Sequence, residues 1–445
     1  MRARLRIHPA RIPLRGRVRV PSDKSIAHRA LILASLGTGV SELHMSSGGE
    51  DVCCTRDVLR ALGVRITHGA GVWRVQGVGL FGLRAPSAPL HVGESGTTAR
   101  LMAGLLSAQE FSCGMHASGT LQQRPMSRVI EPLRSRGARI HGANFPLRFE
   151  GMQEGEWLGA LEYQSPVPSA QVKSALLLAG LYARGATVVL EPMLSRDHTE
   201  RMMHALGVPV RAEGHVVALD PAGWSGVMRE FSMRVPGDAS SAFALLAAAI
   251  MVPGSEIEIA DVSLNPTRLG GLDALRASGV HVQIEPHGEA LSEPFGDVGL
   301  RECVGYTGFD LSGELLLRSL DEVPVLAALA ARATGKTWIR GAAELRLKES
   351  DRLAAMVHLL GAFGVHVELE GDDLCVHGLG ADTVLRAANV DSAGDHRIAM
   401  AAILLALVAD GPCDVAGSEA LSKSFAGFVP LLRSLGARVE AIADA

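Results

Sequence analysis

One short pattern recurs six times along the chain: an apolar helical stretch, a glycine, then a run of apolar or β-branched residues. It stands as LRALGVRI from Leu59, LRSRGARI from Leu133, MHALGVPV from Met203, LRASGVHV from Leu275, LGAFGVHV from Leu360 and LRSLGARV from Leu432. The marker glycines are Gly63, Gly137, Gly207, Gly279, Gly364 and Gly436, with successive gaps of 74, 70, 72, 85 and 72 residues. Glycine ends helices because it enters the left-handed region without a Cβ clash. The β-branched residues after it read as a strand. A period of about 72 residues is too long for a solenoid repeat and suits a unit of helices and several strands. Six such units in 445 residues predict two pseudo-symmetric domains of three, in a chain too long for one ordinary core.

A second pattern overlays the first. Polar or glycine-rich turns lead into apolar helices at PSDKSIAHRALILAS, GESGTTARLMAGLL, SAQVKSALLLAGL, GDASSAFALLAAAI, DEVPVLAALAA and GDHRIAMAAILLAL. Each puts Ser, Thr, Asp or Gly near a helix start, where free N–H groups and the positive dipole end favour anions. One such start is only a cap. Several converging would make an anion-attracting site.

Four segments combine such turns with cations. Lys24, Ser25 and Arg29 open the first, with Ser25 and Arg29 four apart on one face. GESGTTAR carries Gly96 and is followed by Arg124 in QQRPM. LRLKESDRL sets Lys348 four residues before Arg352 with Glu349 alongside, and GDHRIAM carries Arg397. Forked guanidiniums clamp phosphate and carboxylate groups, and a carboxylate near an ammonium suits proton exchange. Only five of the 43 basic residues are lysine (24, 173, 336, 348 and 423), so a lysine here marks a place that needs a compact ammonium.

Other classes are disfavoured. The net charge of −4 gives no reason to expect nucleic-acid binding. The N-terminus is charged throughout, alternates and runs into a structured segment, unlike a signal or transit peptide. The longest apolar run, residues 398–409, is short of the roughly 20 residues that span a bilayer. Six cysteines without metal spacing fit a reducing cytoplasm. There is no phosphate-binding GxxxxGK[ST] loop and no clear dinucleotide fingerprint.

Taken in order, PSDKSIAHRAL, GESGTTAR, RPMSRVIEPL, SAQVKSALLLAGL, SRDHTERM, GDASSAF, LDEVP, LRLKESDRL, GDHRIAM and SKSF resemble the motifs of the 5-enolpyruvylshikimate-3-phosphate synthase family (3-phosphoshikimate 1-carboxyvinyltransferases) over nearly the whole chain. The resemblance implies an α/β fold of two domains, each built from three βαβαββ repeats as an inside-out barrel, with the active site in the interdomain cleft and closing on its ligands. It implies domains of 21–236 and of 1–20 plus 237–445. The implied reaction adds the 5-hydroxyl of shikimate 3-phosphate to C2 of phosphoenolpyruvate, protonates C3, then expels phosphate. By motif match, the shikimate 3-phosphate site would comprise Lys24, Ser25, Arg29, Ser169, Ala170, Gln171, Arg196, Asp321 and Lys348. The phosphoenolpyruvate site would comprise Lys24, Gly96, Arg124, Gln171, Arg352, Arg397 and Lys423. Asp321 would be the base, Glu349 the group exchanging a proton with C3, and Lys24 would assist phosphate departure. Neither metal nor cofactor is implied, and the family precedent is a monomer with small-molecule partners only.

Three positions depart from the family pattern. Glu94 stands where Asn is usual, Ser22 replaces Gly, and Ala117-Ser118 replaces Gly-Asp. An extra carboxylate at 94 is expected to weaken binding of phosphoenolpyruvate and of anionic inhibitors such as glyphosate. The nearest rival, the sister enolpyruvyl transferase acting on UDP-N-acetylglucosamine, relies on a Cys where this chain has Gly119. A non-catalytic phospho-ligand-binding relative would have no need for Asp321, Glu349 and Lys24 together.

Overall fold

A computed structural model describes residues 3–46 and 49–442. The chain forms two compact units. One is continuous, Ser22–Val235, and also takes in Glu289–Glu293. The other is split, with segments 1–21, 236–288 and 294–445.

Each unit holds three four-stranded sheets with one topology. In the second sheet of the continuous unit, Leu90–His91 runs parallel to Cys113–His116, which is antiparallel to Leu147–Glu150. That strand in turn is antiparallel to Arg139–His141. The third sheet repeats the arrangement with Leu161–Gln164, Thr187–Leu190, Val216–Leu219 and Val210–Glu213. In the first, the parallel edge strand Ser232–Arg234 comes from the end of the unit and closes it on Val40–His44. The split unit uses its N-terminal segment similarly: Arg15–Arg19 lies parallel to Glu256–Ser263, and Arg4–Ile7 sits between Cys413–Ala416 and Val439–Ile442.

All six marker glycines adopt positive φ, from +77° at Gly207 to +112° at Gly436. At every one the glycine N–H bonds a carbonyl three residues back, and the next residue's N–H bonds one five back, as Gly63 to Arg60 and Val64 to Leu59. This double bond closes the helix and turns the chain into the next strand. The recurrent LG pattern is therefore a repeated helix stop, and the six stops belong to six equivalent units.

Apolar helices form the core of each unit. All 13 residues of Ala239–Met251 are buried, as are all 11 of His396–Ala406. A helix apolar on every face has to be interior, so the sheets are left to cover the outside with alternating burial, as in Cys113–His116. In the continuous unit, Gly96–Leu106 and Ala170–Gly180 pack backbone to backbone. A β-carbon on Gly104 would come to 2.1 Å from the Ala175 carbonyl oxygen. That close approach brings the two helix starts, both rich in candidate ligands, alongside each other. Among the described residues no helix is long and apolar enough to cross a membrane.

Candidate active site

In the continuous unit three helices begin at the candidate residues. Asp23 caps Lys24–Leu36 by accepting from the Ser25 and Ile26 amides. Ser95 caps Gly96–Leu106 by accepting from Thr98 N–H, and Ser169 caps Ala170–Gly180 by accepting from Val172 N–H. Lys24 Nζ lies 3.2 Å from Asp51 Oδ2, both partly open to solvent. Arg29, beneath Ser25, is buried and donates to Ser25 O, Thr199 Oγ1 and Ser174 Oγ at 2.9, 2.6 and 2.7 Å. Burial lowers its pKa to about 10, against the pull of Glu200 and Glu293, so it keeps its charge at neutral pH.

Gln171 joins the second and third starts. Its Oε1 accepts from Arg100 Nη1 at 2.8 Å and its Nε2 donates to Thr97 Oγ1 at 3.0 Å. Gly96 leaves its backbone open beside two cations: a β-carbon there would lie 2.7 Å from Arg100 Nη1 and 3.5 Å from Arg124 Nη1. Glu94 is exposed and lies over Gly119, whose φ is +54° and whose β-carbon would fall 2.2 Å from Glu94 Oε1. Arg196 and Ala170 are half-buried.

Behind Ser169 and Arg196 lies a buried charge cluster that the motifs did not reveal. Lys173 Nζ is 2.7 Å from both Glu191 Oε2 and Glu200 Oε1, and all three side chains are within 4% of full burial. Glu191 also accepts from Ser169 N–H at 2.9 Å and Ser195 Oγ at 2.9 Å, tying the third helix start to the 191–196 loop. Burial opposes the Lys173 charge, but Glu200 and Glu191 outweigh it and hold its pKa above the ordinary value. His198 Nδ1 and Glu293 Oε1, 2.8 Å apart, form a second closed pair.

In the split unit the candidates gather on Arg352, at the start of Arg352–Ala362. Arg352 is buried; its Nε is 2.9 Å from Asp395 Oδ2, its Nη2 2.7 Å from Glu349 Oε2, and its Nη1 4.0 Å from Asp321 Oδ1. Burial works against the guanidinium charge, but Asp395 and Glu349 overcome it and raise its pKa above the usual arginine value. Asp395 caps His396–Ala406 through Arg397 N–H at 2.8 Å and also accepts from Ser350 Oγ at 3.0 Å. Arg397 is buried in that helix's first turn. Lys423 ends the turn Ser418–Lys423, packed against the same helix, and Lys348 follows the turn Ala343–Leu347; both are half-buried. Next to Asp321, Glu322 accepts from Ser240 Oγ, which itself accepts from Arg268 Nη2 at 2.7 Å. Burial pushes the Glu322 carboxyl up, against the pull of Arg268.

The motifs single out candidate cations but not most of the charged groups around them: Asp51, Asp395, Glu322, the carboxylates around Lys173, and a further cation, Arg100. Asp395 had a signal, an Asp ahead of a helix whose first residues are His-Arg. The partners of Lys173 had none, lying 18 and 27 residues away.

The family model for EPSP synthase (3-phosphoshikimate 1-carboxyvinyltransferase) matches residues 9–432. A 3-phosphoshikimate 1-carboxyvinyltransferase of Brevibacillus brevis is 41% identical over 432 residues, covering 96% of this chain and 99% of the relative. One from a Synechococcus species is 45% identical, covering 97% and 96%. Among solved structures, an EPSP synthase from Acinetobacter baumannii superposes with a TM-score of 0.89 at 34% identity, covering 99% of this chain and 100% of that one. End-to-end matches in both sequence and fold leave one conclusion: the chain belongs to the EPSP synthase family.

Proposed function

We propose that this chain transfers the enolpyruvyl group of phosphoenolpyruvate to the 5-hydroxyl of shikimate 3-phosphate and releases phosphate. The observation that carries the reading is Arg352, a guanidinium gripped on one side by Asp395 and Glu349. Its Nη1 is buried with no hydrogen-bond partner among the described residues, as is Arg397 Nε. Buried unpaired donors are costly, and a carboxylate or phosphate oxygen supplies what they need.

The residues divide the work as follows. Asp321 takes the proton from the attacking hydroxyl as its oxygen bonds C2 of phosphoenolpyruvate. Glu349 gives a proton to C3. In the second step C3 returns that proton, the C2–O bond to phosphate breaks, and Lys24 offsets the charge of the departing phosphate. Arg352, Arg397, Arg124, Lys423, Gly96 and Gln171 hold phosphoenolpyruvate. Ser25, Arg29, Ser169, Ala170, Gln171, Arg196 and Lys348, with Lys24 and Asp321, hold shikimate 3-phosphate. Arg29 is buried, with three of its five N–H donors given to Thr199, Ser25 and Ser174, and it adds its charge from below. The arginines and lysines supply the positive charge that stabilises the transferring group. The enzyme works as a monomer in the cytoplasm, a compartment consistent with six free cysteines.

Gly119 speaks against the UDP-N-acetylglucosamine reaction. It carries no thiol, and its φ of +54° disfavours the side chain that chemistry uses there. The test is phosphate release from phosphoenolpyruvate with each acceptor in turn. Turnover with shikimate 3-phosphate alone supports the reading; no release at saturating substrates overturns it.

A further inference from the structure

On the split unit, away from every residue used above, three metal-ligating side chains share one face of a sheet. His366 precedes the edge strand Val367–Glu370, and Glu368 is two residues on, so both project from the same side. His377 lies on Asp373–Leu379 and donates its backbone N–H to His366 O at 3.0 Å, which sets the two histidines directly opposite one another. Glu368 Oε1 is 2.7 Å from His377 Nε2 and 3.4 Å from His366 Nε2. The imidazole centroids are 4.5 Å apart and cross at 61°. All three ligand atoms lie within 4.8 Å of one another.

We propose that His366, Glu368 and His377 form a binding site for a zinc-class divalent cation that ties the edge strand of this sheet to its neighbour. A tetrahedral ion with ligands at about 2.0–2.2 Å spaces them about 3.4 Å apart. The His366–Glu368 separation already has that value. The His377–Glu368 contact has to open by less than about 1 Å, a small rotamer change for a half-exposed glutamate. Two imidazoles with one carboxylate select zinc, nickel or copper over calcium or magnesium.

Among the described residues the other such cluster, Asp261, His287 and Asp297, is a weaker candidate. Its carboxylates already hold arginines, Arg19 on Asp261 and Arg17 on Asp297. Glu368 is paired with histidines rather than an arginine, but Lys336 stands opposite His377 on the next strand and its charge reaches Glu368. That ammonium repels a cation and weakens its binding.

The experiment is a calorimetric titration of chelator-treated protein with zinc chloride, run on the full chain and on His366→Ala, His377→Ala and Lys336→Gln. We expect one saturable equivalent, weakened at least tenfold by either histidine substitution and tightened a few-fold by Lys336→Gln. At about 100-fold excess over Kd, the wild-type Tm should rise by several degrees and that of the histidine variants should not. Phosphate-release activity of the metal-free variants should match wild type. An equivalent retained in both histidine variants, or no saturable binding below millimolar zinc, overturns the proposal and leaves the cluster as a His–Glu ion pair. An unchanged affinity in Lys336→Gln overturns the electrostatic part of it.

Discussion

Replacing Lys173 by Met is the most direct test of how the third helix start is held. Met fills nearly the same volume with an unbranched chain, so packing is largely retained and the ammonium is what goes. Glu191 and Glu200 are then left 1% and 4% exposed with no cation between them. Breaking a buried pair in this way costs about 3–5 kcal/mol, because a carboxylate stays buried and uncompensated. In a unit of about 220 residues, each 1 kcal/mol lowers Tm by about 2–4 °C. Differential scanning calorimetry should therefore show a loss of about 6–20 °C in the transition of the continuous unit.

The pH dependence supplies a sign that a simple packing defect would not. Burial raises the Glu200 carboxyl above its ordinary range, with Lys173 opposing. Without Lys173 the rise is larger, so the folded state keeps a proton that the unfolded chain releases. Stability then falls as pH climbs from the ordinary glutamate range through the raised value. The gap between variant and wild type should accordingly narrow in mild acid and widen toward pH 8. Adding Glu200→Gln should recover a good part of the loss. Glu191 would still carry Ser169 N–H and Ser195 Oγ, but with no ammonium to orient it. The KM for shikimate 3-phosphate should therefore rise more than kcat falls. A loss below about 1 kcal/mol, or one that neither acid nor Glu200→Gln changes, would refute this account of the cluster.

Three further outcomes follow from the same geometry. Asp395→Asn removes the charge that holds Arg352 and should destabilise the split unit by about 3 kcal/mol in urea unfolding, with at least a tenfold higher KM for phosphoenolpyruvate. An unchanged unfolding midpoint would show that Glu349 alone secures Arg352. Glu94→Asn takes a carboxylate from the turn that carries Gly96 and should lower the KM for phosphoenolpyruvate and the inhibition constant of glyphosate by about 5-fold, as expected for about 1 kcal/mol of screened repulsion; steady-state kinetics with both unchanged would disprove it. His28, buried on Thr55, has its pKa lowered by burial to about 3, so it contributes stability above pH 6.5 that is lost as pH falls toward 3. His28→Asn should flatten that acid slope, which can be as steep as about 1.4 kcal/mol per pH unit, and an identical slope in both proteins would exclude His28 as its source.

What the sequence shows plainly is whatever is encoded locally. The helix stop needs only a glycine and its neighbours, so six of them reveal six units before any contact is known. The cations at helix starts are similarly visible, because cap and charge lie within one turn. The counter-charges are not. Arg352 depends on Asp395, 43 residues on, and Lys173 depends on a strand end and another helix. The scarcity of lysine did mark positions where a compact ammonium matters, but it did not distinguish them. Lys24 is partly open beside Asp51, whereas Lys173 is sealed in the core and can exchange no proton with a substrate.

Five of the six helix starts divide into two kinds, capped by aspartate or by serine, while Val323–Ala330 has no side-chain cap. A free N-terminus attracts anions, but three of these are already met by their own carboxylates: Asp23, Asp238 and Asp395 accept from first-turn amides. At such a start the dipole is largely satisfied, and an added anion has to be drawn by something else. Asp395 supplies that by holding Arg352, and Asp238 stands 3.7 Å from Arg268. The helix capped by the neutral Ser95 retains its dipole, and the nearby cations there are Arg100 and Arg124, whereas at the Ser169-capped helix the Glu191 carboxylate already accepts from Ser169 N–H. An anion at the Ser95-capped start is met by amides and guanidinium together; at the Asp395-capped start it is met by the Arg352 guanidinium, which the aspartate orients. Equivalent positions in a repeated fold have thus been given different electrostatic work, and one residue in the cap decides which.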